Sequence, residues 1–195
     1  MAVELVAIGA SWGGLHAVGC VLESLPPDFG AAVVIAQHRQ ARGEHEDRLA
    51  SLLGARCELA VREADDKQAL RPGVVLLAPA DYHLLVEPGS VALSVDHLVN
   101  FSRPSIDVLL GSAADAYGAR AAGVVLTGAN ADGAAGLARI AGRGGPAIVQ
   151  DPDSATRREM PDAALAAVPS ALVMELEDIG ALLTELADSS DRAAS

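Results

Sequence analysis

Short, continuous apolar runs alternate with longer amphipathic stretches along this chain, and the alternation predicts a repeating strand–helix rhythm. Residues 3–8 (VELVAI) read as a buried strand, and residues 15–25 as a helix that Pro26 and Pro27 stop. Residues 31–37 (AAVVIAQ) give the next strand, followed by a helix around 44–53; 57–61 (CELAV) and 73–79 (GVVLLAP) are two more strands. Runs of this kind suit strands covered on both faces, hence a parallel sheet with helices on either side. Residues 82–95 alternate instead, with Pro88-Gly89 at the turn, and predict an antiparallel β-hairpin excursion. Pro104 suits the first turn of a helix running to about 117, where Gly118 stops it. Residues 122–128 (AGVVLTG) then form a strand, 133–141 a helix, and 146–150 (PAIVQ) a last parallel strand; short helices near 161–167 and 178–187 close the domain. The pattern defines an α/β fold: a doubly wound, mostly parallel sheet in a Rossmann-like three-layer arrangement. It spans one domain over 1–187, with 188–195 as a disordered tail.

Composition narrows the class. Hydrophobic residues make up 51% of the chain and aromatics 3%, so aliphatic side chains must fill the core. No apolar stretch approaches the roughly 20 residues that a membrane helix needs, so membrane insertion is not expected. The start carries Glu4 and no basic region, which argues against a signal peptide and for a cytoplasmic location. Cys20 and Cys57 are read as buried free thiols. A net charge of −12 disfavours a nucleic-acid partner, which would want a basic face.

Candidate chemistry begins at the turn after the first strand, GASWGG (residues 9–14). A dinucleotide fingerprint would need a glycine where Ser11 stands and an acidic residue ending the second strand; that strand ends in Gln37-His38. No Gly-Lys-Ser/Thr follows, so a P-loop also fails. The alternative is a nucleophilic serine on a tight strand-to-helix turn, where following backbone N–H groups can hold an oxyanion. Small residues at such a turn also pack simply because helix meets sheet, so the turn alone does not decide. Placement adds support: His38 directly follows the second strand and Asp132 opens the helix after VVLTGAN, so Ser11, His38 and Asp132 share the carboxyl edge of the sheet. Asp132 at a helix start is also ordinary dipole compensation, and Asp81, Asp107 and Asp151 compete for the role of orienting the base. His16 and His45 read as surface residues, His83 as structural and His97 as a loop residue. No set has zinc-ligand spacing, so neither metal nor cofactor is expected.

AIGASWGG, VVIAQH, LAPADYHLLV, RPSIDVLLGSAA, GVVLTGANADGAAGL and IVQDPDSAT…MP follow one another in an order that resembles the catalytic domain of the chemotaxis protein-glutamate methylesterases, over about 3–165. The resemblance implies a serine hydrolase that cleaves glutamate methyl esters on chemoreceptors or a related signalling protein, releasing methanol, with glutamine deamidation in some members. By motif, Ser11 would be the nucleophile, His38 the general base and Asp132 the orienting carboxylate, with the Trp12 N–H in the oxyanion hole. Trp12, Gly13, Asn130 and Arg39 are the expected oxyanion or substrate-binding positions. The family usually carries an N-terminal receiver, so a catalytic domain without one is the expectation here. Trp12 stands where threonine is usual, Ala129-Asn130 where Met-Gly is usual, and Arg39-Gln40 where Met-Pro is usual. Two other readings stay open: a catalytically weak relative that binds a signalling partner through the cleft, and a small-molecule carboxylesterase.

Overall fold

The computed structural model describes residues 2–39 and 48–188. Seven parallel strands form the main sheet in the order β3 (Ala60–Glu63), β4 (Val74–Leu77), β2 (Ala32–Gln37), β1 (Leu5–Ala10), β7 (Ala121–Val125), β8 (Ala147–Gln150) and β9 (Leu172–Met174). The central members are β1 (Leu5–Ala10), β2 (Ala32–Gln37) and β7 (Ala121–Val125). Their continuous apolar runs are buried on both faces, as a doubly covered parallel sheet demands. Side chains alternate between two cores. Val6, Ile8, Val33, Ile35 and Val124 face one, with α1 (Gly14–Glu23) and α6 (Leu176–Asp188). Leu5, Ala7, Val34 and Val125 face the other, with α3 (Ile106–Tyr117), α4 (Ala134–Gly142) and α5 (Glu159–Ala167). Each fully buried leucine, isoleucine or valine contributes about 1.5–3 kcal/mol, so these two faces dominate stability.

The hairpin excursion is present: β5 (His83–Glu87) pairs antiparallel with β6 (Ser90–Ser94) around Pro88-Gly89 and packs on α3. Four expectations need correction. The third strand is β3 (Ala60–Glu63), displaced from 57–61; as an edge strand it alternates exposed and half-buried positions, so a continuous apolar run was the wrong signal. β8 (Ala147–Gln150) is not the last parallel strand, because β9 (Leu172–Met174) pairs beside it at the sheet edge. Pro104 lies outside its helix: it follows a cis peptide bond from Arg103, and Ser105 caps α3 by accepting from the Val108 N–H. The two cysteines are free thiols, but half-buried rather than buried. In the second helix, α2 (Arg48–Gly54), the expected residues 44–47 lie outside the described residues, as do His45 and the expected tail from 189 onward. The order in which the chain adds strands reverses between β1 and β7, all strands staying parallel, and this switch point opens a crevice at their carboxyl ends.

Candidate active site

Ser11 occupies the turn between β1 and α1. Its N–H donates to the Thr127 carbonyl at 2.9 Å, tying it across the crevice to the end of β7. Its own carbonyl accepts from Gly14 N–H (2.9 Å) and from the Gln37 side-chain amide (2.7 Å), so both ends of the serine backbone are fixed. Gly13 sits at φ 82°, a left-handed conformation that disfavours any side chain, and a Cβ there would also meet Thr156 at 2.7 Å. Gly128 is constrained by space instead. A Cβ on it would lie 1.9 Å from Met160 Sδ and 2.8 Å from Ser11 Cβ. Trp12 and Gly13 N–H groups, which follow Ser11 directly, donate to no acceptor among the described residues. They open toward the start of α1, where helix geometry leaves N–H groups free.

His38 and Asp132 complete a chain of contacts from Ser11. His38 N–H bonds to the Ala10 carbonyl at 3.0 Å, which places the imidazole beside the serine turn. Its Nδ1 lies 3.2 Å from Ser11 Oγ, and its Nε2 lies 2.7 Å from Asp132 Oδ2. A carboxylate can only accept, so Nε2 carries the hydrogen and Nδ1 is left to accept from the serine hydroxyl. Three residues chosen from sequence placement are thus brought together, His38 lying 27 positions from Ser11 and 94 from Asp132.

Asp132 is held more firmly than the sequence suggested. Oδ2 also accepts from Ile106 N–H (2.7 Å), and Oδ1 accepts from Ser105 Oγ (2.9 Å), Asn100 Nδ2 (2.9 Å) and Asp107 N–H (3.1 Å). Burial pushes its carboxyl up, but the bonds from His38, Asn100, Ile106 and Asp107 outweigh burial and hold it below the usual carboxylate range. The buried polar side chains among the described residues are His83, Ser105, Thr127, Asp132 and Gln150, and all lie at this end of the sheet. Gln150 Oε1 accepts from Thr127 N–H; His83 Nδ1 accepts from Ser105 N–H.

The other expected site residues divide. Asn130 Oδ1 accepts from the Asp132 N–H at 3.1 Å, so this side chain shapes the turn that presents the carboxylate. Arg39 lines the same cavity as His38 while its guanidinium pairs with Glu63 and donates to the Ala78 carbonyl. Trp12 is 63% exposed, with the Arg157 guanidinium 5.7 Å from its ring centre. Asp81 pairs with Arg103, and Asp107 accepts from Gly133 and Gly136 N–H groups, so neither takes the place beside His38. Sequence reasoning missed Asn100 and Ser105, and weighed Asp107 as a rival to Asp132 rather than as a backbone donor to it. Ser105 directly before an apolar helix start, with Asp107 in the first turn, was the available signal for a cap there.

A doubly wound α/β domain with a serine–histidine–aspartate array in its switch-point crevice is the class that fold and site define. Comparison with known proteins names the family. The family model described as CheB methylesterase matches residues 6–183, and the chain belongs to that family, one of carboxylic ester hydrolases. A Leptospira interrogans protein, provisionally named a protein-glutamate methylesterase/protein-glutamine glutaminase, is 42% identical over 95% of this chain and 96% of its own length. The Myxococcus xanthus protein-glutamate methylesterase FrzG is 40% identical over 94% of this chain; the match spans 55% of that protein. The crystal structure of the Thermotoga maritima CheB methylesterase catalytic domain superposes with a TM-score of 0.87 at 31% identity, covering 95% of this chain and 100% of that one. Among the described residues, no helix is long and apolar enough to cross a membrane, and no three metal-ligating side chains cluster.

Proposed function

We propose that this protein is a protein-glutamate methylesterase that uses Ser11, His38 and Asp132 as a catalytic triad. The observation that carries the reading is the continuous Ser11–His38–Asp132 contact chain beside the Trp12 and Gly13 N–H groups, which donate to no acceptor among the described residues. Ser11 Oγ attacks the ester carbonyl as His38 Nδ1 takes its proton, and the developing oxyanion is held by the N–H groups of Trp12 and Gly13. The tetrahedral intermediate collapses, the C–O bond to the methoxy group breaks, and imidazolium returns the proton to release methanol. Water then attacks the acyl-enzyme by the same route, giving glutamate and free serine. An amide substrate would follow the same steps and lose ammonia, which accounts for glutaminase activity within one site. The substrate is a methylated chemoreceptor or related signalling protein, reached in the cytoplasm.

The test is Ser11→Ala. Methanol release from a methylated chemoreceptor fragment should vanish, a fluorophosphonate should label the wild type on Ser11 and not the variant, and the circular dichroism spectrum should be unchanged. A wild type that neither releases methanol nor labels on Ser11 would sink the enzyme reading and favour a binding module in the same cleft.

A further inference from the structure

One wall of the cleft is built in a way that packing within the chain does not repay. A cavity of about 500 Å³ is lined by His38 and Arg39 on one side and by Leu98, Phe101, Ser102 and Arg103 on the other. Val99 and Ser102 exchange backbone hydrogen bonds of 3.2 and 2.9 Å, closing a tight turn. Its two central residues, Asn100 and Phe101, both have positive φ, at 51° and 61°. Two left-handed central residues define a type I′ turn, whose second central position favours glycine. Asparagine tolerates the left-handed region; a phenylalanine there is a conformational outlier. Burial does not offset this, because Phe101 is 98% exposed.

The turn is nevertheless held at several points. Asn100 donates to Asp107 Oδ2 and Asp132 Oδ1, so the loop is bolted to the carboxylate beside His38. Arg103 donates to the Val95 and Asp96 carbonyls and pairs with Asp81, and His83 Nε2 donates to the His97 carbonyl. A rigid, costly backbone therefore presents an unburied aromatic ring on the cavity wall that also contains His38. Leu98, itself exposed, extends the same apolar lip.

We infer that Phe101 is a specificity-determining residue that grips an apolar side chain of the protein carrying the ester. The inference rests on the methylesterase reading and deepens it. The leaving group is one carbon and the acid side is an unbranched glutamyl chain, so the ester itself offers little to recognise. Discrimination between a protein ester and any other methyl ester has to come from surface flanking the esterified residue. A preorganised aromatic at the cleft rim supplies such a contact at low cost in ordering.

Phe101→Gly tests this, because glycine suits the turn and removes only the ring. The variant should melt at or above the wild-type temperature and hydrolyse p-nitrophenyl acetate with unchanged kcat/KM. For methanol release from a methylated chemoreceptor fragment, kcat/KM should fall by about 10–100-fold, mostly through KM, as loss of a binding anchor does. Phe101→Leu should recover part of that loss. Equal wild-type and variant kcat/KM on the receptor fragment overturns the assignment of Phe101 alone, and a parallel loss on both substrates overturns it too, by making the ring part of the general site. A wild type active on the small ester but silent on methylated receptor overturns the methylesterase reading, and this assignment with it.

Discussion

Asp132→Asn removes the charge at the end of the proposed triad with almost no change in shape, and its cost can be worked from the contacts. Five donors converge on the carboxylate: His38 and Ile106 on Oδ2, and Asn100, Ser105 and Asp107 on Oδ1. An amide offers one oxygen and one NH₂. With the oxygen in the Oδ2 place, His38 and Ile106 stay bonded and the Ser105 hydroxyl can rotate to accept, but Asp107 N–H and Asn100 NH₂ face a donor. The opposite orientation is worse, because the buried Ile106 N–H and His38 then lose their acceptor. Two hydrogen bonds to a charged group are lost in the better case, at about 1.5–3 kcal/mol each, hence about 3–6 kcal/mol in total. For a domain of this length that corresponds to a fall in Tm of roughly 6–24 °C.

The sign of the pH dependence follows from the same bonds. The Asp132 carboxyl is held below its ordinary range in the folded state, so its stabilising contribution is complete above the unfolded value of about 3.9 and is lost as pH falls through the lower folded value. The stability gap between wild type and Asp132→Asn should stay level from pH 7 to pH 5 and close at more acid pH. At a temperature where both are folded, kcat for methanol release should fall about 10³–10⁴-fold, the size of effect seen when a triad carboxylate becomes an amide. Thermal melts at several pH values and methanol release are the assays. A variant melting within 2 °C of wild type, or retaining a tenth of its activity, would refute the idea that this carboxylate is the convergence point of the site.

The remaining predictions probe neighbours of that point. Asn100→Gly keeps the left-handed backbone but removes the exposed bond to Asp107 and the part-buried one to Asp132; the second alone should lower stability by about 1.5–3 kcal/mol in urea unfolding, and kcat should fall more than KM rises. Gly128→Ala drives a methyl into Met160 and Ser11, and overpacking of this kind costs about 1–3 kcal/mol, with fluorophosphonate labelling of Ser11 slowed. Trp12→Thr forfeits only an exposed cation–π contact with Arg157, worth about 0.5–1 kcal/mol, so Tm should barely move and any large change must appear in KM.

Much of the fold was legible because its central strands are buried on both faces: the apolar runs at β1, β2 and β7 have no competing explanation. Legibility failed at the sheet edges. β3 alternates exposed and half-buried residues, and β9 is three residues with Leu172 and Val173 exposed, so neither carries the continuous signal. Ser11, His38 and Asp132 could be placed on one edge because parallel strands put their carboxyl ends together, which is topology rather than contact. Asn100, Ser105 and Asp107 lie 25–32 positions from Asp132, in a stretch where the expected helix began two residues too early, at Pro104. Without the cap at Ser105, nothing aimed the first N–H groups of α3 at a partner.

That cap also bears on how the proposed triad handles its proton. Asp132 meets the N-terminus of α3, accepting from Ile106 and Asp107 N–H groups and from Ser105, where aligned peptide dipoles favour negative charge. A carboxyl buried among apolar groups would gain proton affinity and could take the proton from His38; here the donors outweigh burial, and affinity falls instead. When His38 accepts the Ser11 proton, the imidazolium therefore keeps both its protons and Asp132 remains a fixed anion 2.7 Å from Nε2. The sheet edge supplies the proposed nucleophile and base, while the start of α3 fixes the counter-charge. Lengthening the contact between α3 and Asp132 would then weaken catalysis without touching either Ser11 or His38.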